Sequence, residues 1–208
     1  MQLYFPDARG QEARRSFSLA APVRGAGLAG RWELAISLLP EGEASRFLQA
    51  VPLGAQIEGA GPFGRFHLMP GDAPARYLLV ATGTGVAPFR AMLPELRRRC
   101  LQQGAPVILL CGARDRETLL YRDEFRHVAA SLPGFTYRGC LSRARPSSAE
   151  TDLHPGRVQR ALRELEPTAG DLALLCGNPA MVDECTGLLR DAGLPLRAIR
   201  RERYIASG

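Results

Sequence analysis

The alternation of short apolar runs with helical stretches after residue 76 constrains the fold more than any other feature of the sequence. Residues 77–81, 107–111 and 172–176 are apolar runs of strand length. Helical stretches alternate with them, at residues 89–103, 157–165 and 180–192. Alternation of this kind is typical of βαβ units, and it predicts a doubly wound parallel sheet with helices on both faces.

The first 70 residues have a different pattern. Residues 15–20 and 32–39 are predicted strands, the second because apolar side chains alternate along it, and a short helix is expected over 43–48. Gly61-Pro62-Phe63-Gly64 is predicted to form a turn. The Pro- and Gly-containing segment 69–74 separates the two patterns. We therefore expect two domains, residues 1–72 and 73–208, with residues 142–154 as a loop at the ligand-facing rim of the second.

Composition excludes several functional classes. The net charge is +6, but all 27 basic residues are arginines, and they are scattered without interleaved aromatic residues. Nucleic-acid binding is therefore not expected. No apolar run is long enough to cross a bilayer and no signal peptide is recognisable, which favours a cytoplasmic protein. The five cysteines are widely spaced, so we expect neither a disulfide framework nor a metal site.

A glycine-rich turn follows the first predicted strand of the sheet. Thr82-Gly83-Thr84-Gly85 lies between an apolar run and a helix that has Pro88 near its start. Glycines allow backbone N–H groups to approach an anion, and the helix N-terminus favours phosphate. The spacing is not G-x-G-x-x-G, and many tight strand-to-helix turns need glycine for purely structural reasons. A phosphate site and an ordinary tight turn are both consistent with this segment alone.

A second turn of the same type begins at Cys176-Gly177-Asn178 and enters another helix through Pro179. The carboxyl ends of parallel strands meet at one edge of a sheet, where ligands of open α/β folds bind. Both turns are therefore expected to contact the same dinucleotide.

Together with Arg15-Ser16-Phe17-Ser18 and residues 61–64, these motifs resemble the ferredoxin–NADP reductase family in content and order. The resemblance implies an antiparallel β-barrel that binds FAD, followed by the α/β nucleotide-binding domain. It also implies electron transfer between NADP(H) and a separate one-electron carrier such as ferredoxin or flavodoxin. Hydride would pass between nicotinamide C4 and flavin N5. The alternatives are a free-flavin reductase, an oxygenase reductase component, and a non-catalytic NADP(H)-binding protein that has lost FAD.

The resemblance assigns FAD contacts in the first domain. Arg15 would pair with the pyrophosphate, Phe17 would stack on the flavin, and the Ser18 hydroxyl would lie near N5. Without the resemblance, the simpler interpretation is a β-strand with one exposed arginine. Gly42 and Ser45 match a second phosphate contact at the start of a short helix, although Ser45 also fits a simple helix cap.

Three residues are expected to assist the reaction itself: Ser18, Cys176 and Glu202. Cys176 matches a cysteine beside the nicotinamide, and Glu202 resembles an acidic residue near the same place. Tyr204 is also expected to contact a cofactor. From the residues alone, Cys176 is equally a small buried strand residue and Glu202 a solvated charge.

Arg114, Arg143 and Arg157 resemble the arginines with which NADP-dependent members bind the 2′-phosphate. We therefore expect NADP(H), with NAD(H) as the alternative. From the residues alone, each of the three is equally an ordinary surface arginine. Tyr121 lies where the family often stacks an aromatic ring on adenine, although packing beneath the following helix is an equal interpretation.

Two features depart from the family. Only fourteen residues precede Arg15, so the barrel is expected to be shortened at its N-terminus. No cysteine-rich cluster suits an iron–sulfur centre, which implies that the carrier, expected to be small and acidic, is a separate protein or an oxygenase component.

Overall fold

The computed structural model describes residues 1–21 and 32–204. The first strands, β1 (Gln2–Pro6), β2 (Glu12–Ser16) and β3 (Gly59–Ala60), form an antiparallel sheet in the order β2-β1-β3. Helix α1 (Glu43–Ala50) confirms the predicted short helix. The predicted strand over 32–39 is wrong, because only Leu34 pairs there, in an isolated bridge to Leu19. The described residues before position 76 thus form a three-stranded antiparallel sheet with one short helix and one isolated bridge.

The rest of the described chain consists of β4 Arg76–Thr82, α2 Ala87–Gln103, β5 Val107–Ala113, α3 Arg122–Ser131, β6 Phe135–Leu141, β7 Leu153–Pro155, α4 Val158–Glu164, β8 Asp171–Gly177, α5 Pro179–Asp191 and β9 Ile199–Arg203. These strands form one parallel sheet of six, ordered β7-β6-β5-β4-β8-β9. Its three predicted strands are confirmed as β4, β5 and β8, and the three predicted helices as α2, α4 and α5. None of these helices, nor any other in the described part of the chain, is long and apolar enough to cross a bilayer.

Burial on both faces explains why the central strands are continuously apolar. All residues of β8 and five of the seven in β4 are buried. Phe89 of α2 and Phe125 of α3 pack on one face of the sheet, and Leu162 of α4 and Val182 of α5 pack on the other. The sheet is therefore the middle of three layers.

The order of the strands positions the functional site. The chain runs from β4 outward through β5 and β6, and then returns to place β8 on the opposite side of β4. This reversal opens a crevice between the carboxyl ends of β4 and β8, where ligands of open α/β folds bind. Both glycine turns lie at this crevice.

The segment between the two sheets is held by a buried charge cluster. Arg99 of α2, with only 1% of its side chain exposed, donates to the Met69 carbonyl at 2.8 Å. Asp72 accepts a 2.7 Å hydrogen bond from Arg200 of β9. Asp72 is therefore fixed to the parallel sheet, and the boundary between residues 72 and 73 remains a prediction.

Candidate functional site

The two glycine turns are joined directly. The Thr82 hydroxyl oxygen accepts a hydrogen bond from the Asn178 N–H at 3.0 Å. Gly177 has φ +131°, and a Cβ there would lie 2.5 Å from the same oxygen. Gly83 has φ +55°, and no atom lies within 4 Å of the position of its absent Cβ. The two turns are thus in close contact at Thr82 and Gly177, whereas there is open space beside Gly83.

Gly85 has a different role from Gly83. It is buried, and an added Cβ would lie 2.3 Å from the carbonyl oxygen of Cys176. Gly85 therefore allows the turn to pack against β8, and it is not among the described residues that line the cleft.

Both turns lead into helices with ordered starts. Residues Gly83–Val86 form a 3₁₀ turn that continues into α2. The Asn178 side-chain oxygen caps α5 by accepting hydrogen bonds from the N–H groups of Ala180 and Met181, at 2.9 and 3.3 Å. The exposed turn backbone thus adjoins helix N-termini, which favour anions.

A cleft of about 1920 Å³ lies between these turns and the N-terminal sheet. Most of the residues assigned from the sequence share its lining, although they come from both sheets. They are Arg15, Phe17, Ser18, Gly42, Ser45, Thr82, Gly83, Thr84, Arg114, Arg157, Gly177, Asn178, Glu202 and Tyr204.

Two of the three predicted catalytic residues are in contact. The Ser18 hydroxyl donates a 2.6 Å hydrogen bond to a carboxylate oxygen of Glu202, so the segment after β2 meets β9. Cys176, the third, is fully buried and is not among the described residues that line the cleft, and burial raises the pKa of its thiol well above the ordinary value. The Tyr204 hydroxyl lies beside Cys176. Burial is the main reason that the pKa of this phenol is raised, and the neighbouring Cys176 thiol is the second. Cys176 is therefore a neutral, buried thiol in β8.

The opposite wall carries the predicted phosphate contacts. A guanidinium nitrogen of Arg15 lies 3.5 Å from a carboxylate oxygen of Glu43, and both side chains are about one-third exposed. Gly42 precedes α1 without a side-chain cap. The Ser45 hydroxyl accepts a hydrogen bond from the Leu39 N–H at 2.8 Å, so it orders the preceding loop instead of capping the helix. Arg15 and the start of α1 together present N–H donors that suit a pyrophosphate.

The predicted 2′-phosphate arginines are not all placed alike. Arg114 and Arg157 line the cleft, are exposed, and form no ion pair with any described residue. Arg143 is also exposed but is not among the described lining residues. Tyr121 lies outside the described lining as well, with the Arg90 guanidinium 4.4 Å over its ring. The structure thus groups two of the arginines and leaves the adenine contact of Tyr121 without support.

Sequence reasoning missed other lining residues. The Gln159 side chain donates to Glu184 at 2.6 Å, and both line the cleft, as do Phe66 and His67. The sequence does not single out Gln159 and Glu184 as site residues, because both lie on ordinary amphipathic helices. Across residues 1–21 and 32–204, no cluster of three or more His, Cys, Asp or Glu side chains is arranged to hold a metal ion.

Comparisons with known proteins agree with this arrangement. Residues 79–186 match the family model of the oxidoreductase NAD-binding domain. The chain is 37% identical over 202 residues to ferredoxin–NADP reductase B of Sorangium cellulosum, covering 94% of this chain and 80% of that protein. It is 31% identical to the toluate 1,2-dioxygenase electron transfer component of Pseudomonas putida, covering 95% of this chain and 56% of that protein.

Solved structures give the same result for the fold. The crystal structure of the Amycolatopsis cytochrome P450 reductase GcoB superposes with a TM-score of 0.81 at 27% identity, covering 97% of this chain and 59% of that one. A flavohemoglobin from Malassezia yamatoensis has the same TM-score of 0.81 at 22% identity, covering 99% of this chain and 50% of that one, which shows the fold alone. The chain thus spans little more than half the length of several of its relatives.

Proposed function

Because this chain belongs to the ferredoxin–NADP reductase family of oxidoreductases, we propose that it transfers electrons between NADP(H) and a separate one-electron carrier through bound FAD. The observation that carries the proposal is the 2.6 Å hydrogen bond between Ser18 and Glu202. It joins the predicted flavin wall to the nucleotide-binding sheet within one cleft.

The residues present fit both cofactors. Arg15 and the start of α1 offer donors to the FAD pyrophosphate, and Phe17 offers an aromatic face. On the other wall, the open space at Gly83 and the helix starts after both turns suit the phosphates of the nicotinamide dinucleotide. When both are bound, the chemistry they supply is hydride exchange between nicotinamide C4 and flavin N5.

The protein's own contribution is positioning. Ser18 is held by Glu202, so its hydroxyl has a fixed place in the cleft. The Thr82–Asn178 hydrogen bond keeps the two glycine turns at a fixed separation. Tyr204 lines the cleft, with its hydroxyl beside the buried Cys176 thiol. Fixed placement of two reacting groups is the main source of acceleration when no protein group reacts covalently.

NADP(H) is the proposed dinucleotide. Arg114 and Arg157 line the cleft with exposed guanidinium groups that no described carboxylate neutralises. A guanidinium matches the geometry of a phosphate, and a 2′-phosphate is the group that distinguishes NADP from NAD. The name of the 37% identical relative supports this choice.

For the electron acceptor we propose ferredoxin or flavodoxin. The net charge of +6 favours an acidic partner. The second candidate is an oxygenase component, which is favoured by the 31% identical electron transfer component of a dioxygenase.

The test uses the full chain, purified and saturated with FAD. A flavin absorption band that NADPH bleaches under anaerobic conditions, with electrons passing on to an added ferredoxin or flavodoxin, is the expected result. Protein that binds NADPH but never retains FAD would overturn the proposal in favour of a non-catalytic nucleotide-binding protein.

A further inference from the structure

Arg90, which was not among the site residues predicted from the sequence, connects the two walls of the cleft. It lies in the first turn of α2, directly after the glycine-rich turn. Its guanidinium donates to the Ala20 carbonyl oxygen at 2.8 Å and pairs with Glu33 at 2.8 Å, so it holds two parts of the N-terminal region. Its Nε donates to Glu124 of α3 at 2.6 Å.

Tyr121 completes this group. Its ring lies 4.4 Å beneath the Arg90 guanidinium, and its hydroxyl donates to Glu33 at 3.1 Å. The Ala20 N–H also donates to the Glu33 carbonyl, at 2.7 Å. Burial lowers the pKa of Arg90, but its hydrogen bonds to Glu124 and Glu33 raise the pKa by more. The pKa therefore lies above the usual value, and the guanidinium stays charged. We call these residues the Arg90 clamp: Ala20, Glu33, Arg90, Tyr121 and Glu124.

The clamp lies next to the reacting part of the cleft. Ser18 is bonded to Glu202 of β9, and Ala20, two residues later, is bonded to Arg90 of α2. The short segment 18–20 is thus attached to the parallel sheet at both ends. Two residues span at most about 7 Å, so a displacement of Ala20 is passed on to the Ser18 hydroxyl.

We propose that Arg90 is a positioning residue: by holding Ala20 and Glu33 against α2, it fixes Ser18 relative to the glycine turns and so sets the rate of electron exchange in the cleft. The inference rests on the proposed function. Arginine suits this task because its planar group donates in several directions while stacking on an aromatic ring. Lysine keeps the charge but has neither the fork nor the stacking surface.

The experiment compares Arg90→Lys with the parent and with Arg98→Gln. Arg98 is the matched control, because it lies on the same helix in an exposed ion pair with Glu95. Hydrogen–deuterium exchange of the amides in residues 17–20 and the limiting rate of anaerobic flavin reduction by NADPH are measured together. If Arg90→Lys does not fold, Glu124→Gln, which removes one side of the clamp, takes its place.

The expected result for Arg90→Lys is faster exchange of the Ala20 amide and a limiting rate lower by about tenfold, the loss of roughly one charge-assisted hydrogen bond. The KM for NADPH and the FAD content should stay close to those of the parent, and Arg98→Gln should change neither readout. A variant that melts earlier but keeps the parental exchange at 17–20 and the parental rate would overturn the proposal. If the parent itself is not reduced by NADPH, the proposed function fails, and exchange at 17–20 alone still decides whether the clamp holds this segment.

Discussion

The carboxylate of Glu202 accepts a 2.6 Å hydrogen bond from the Ser18 hydroxyl, although 184 positions separate the two residues in the chain. This contact brings together the end of the N-terminal sheet and the last strand of the parallel sheet. The two walls of the cleft belong to different sheets, and this hydrogen bond fixes the position of Ser18 between them.

Replacing Ser18 with alanine should slow anaerobic reduction of the flavin by NADPH by about tenfold or more, because a hydrogen bond to a charged group is lost. FAD content should remain unchanged, since the phosphate contacts are elsewhere. Stopped-flow absorbance at the flavin band measures the rate, and Ser131→Ala, at the exposed end of α3, is the control. A parental rate in Ser18→Ala would contradict a role in the reaction.

Arg15 and Glu43 should have opposite effects on FAD affinity. Arg15→Ala removes a charge-assisted phosphate contact and should weaken FAD binding by about ten- to a hundredfold. Glu43→Gln removes the carboxylate that lies 3.5 Å from Arg15, and it should strengthen binding because the guanidinium loses a competing partner. Titration of the apoprotein with FAD measures both. The same sign of change in the two variants would argue against Arg15 as the phosphate contact.

Removing Arg114 and Arg157 together should reduce kcat/KM with NADPH by more than tenfold, since each charge-assisted contact contributes about 1.5–3 kcal/mol. NADH lacks the 2′-phosphate, so its kcat/KM should hardly change. Arg143→Ala is the matched control, because Arg143 is exposed but outside the described lining of the cleft. Equal losses with both dinucleotides would remove the support for NADP(H).

Asp72 should stabilise the fold only when it is ionised. Burial raises its pKa, but hydrogen bonds from Arg200 and the Met69 N–H lower it more, so the pKa lies below the ordinary value. Its contribution is therefore fully present above the unfolded-state pKa of about 4 and is lost as the pH falls towards the folded-state value.

Asp72→Asn should therefore lower the free energy of unfolding at pH 7 by about 1.5–3 kcal/mol, because Arg200 loses its charge-assisted hydrogen bonds to the Asp72 carboxylate. Urea unfolding at pH 7 and pH 3 measures the loss, which should be smaller at the lower pH. Asp123→Asn, in an exposed pair, should change stability by less than about 0.5 kcal/mol. A pH-independent loss for Asp72→Asn would show that its charge is not the cause.

Two glycines should respond in opposite directions to the same substitution. In Gly85→Ala the new Cβ would lie 2.3 Å from the Cys176 backbone oxygen, so the turn must shift and stability should fall. In Gly187→Ala nothing lies within 4 Å, and replacing a mid-helix glycine should raise stability by about 0.5–1 kcal/mol. Thermal unfolding measures both, and a stabilised Gly85→Ala would contradict the packing role of Gly85.

Continuous burial made the parallel sheet predictable. Strands β4, β5 and β8 are apolar on both faces, so their runs stand out in the sequence. Strand β6 was not predicted. Its residues alternate between buried and less buried positions at the start of the strand, and the last three, up to Leu141, are all buried. The alternating segment 32–39 gave a false strand, because alternation specifies a face but not a partner strand, and only Leu34 pairs.

The site was predictable where a local motif defines it. The glycine turns and the residues around Arg15 are recognisable from short spacings, and all of them except Gly85 and Cys176 line one cleft. The role of Ser45 was not, because its hydrogen bond to the Leu39 N–H depends on how the loop before α1 folds back. The Arg90 clamp is likewise a product of tertiary structure, since its members come from four separate parts of the chain.

All five cysteines are free thiols in buried positions. Burial raises the pKa of Cys140 and of Cys185 to about 12, so these groups are protonated near neutral pH. Alkylating reagents attack the thiolate and need access to it. Each thiol labelled in solution therefore records an opening event of the core around it, and the native chain carries its own chemical reporters of local unfolding, spread over β5, β6, β8 and the helices on either face of the sheet.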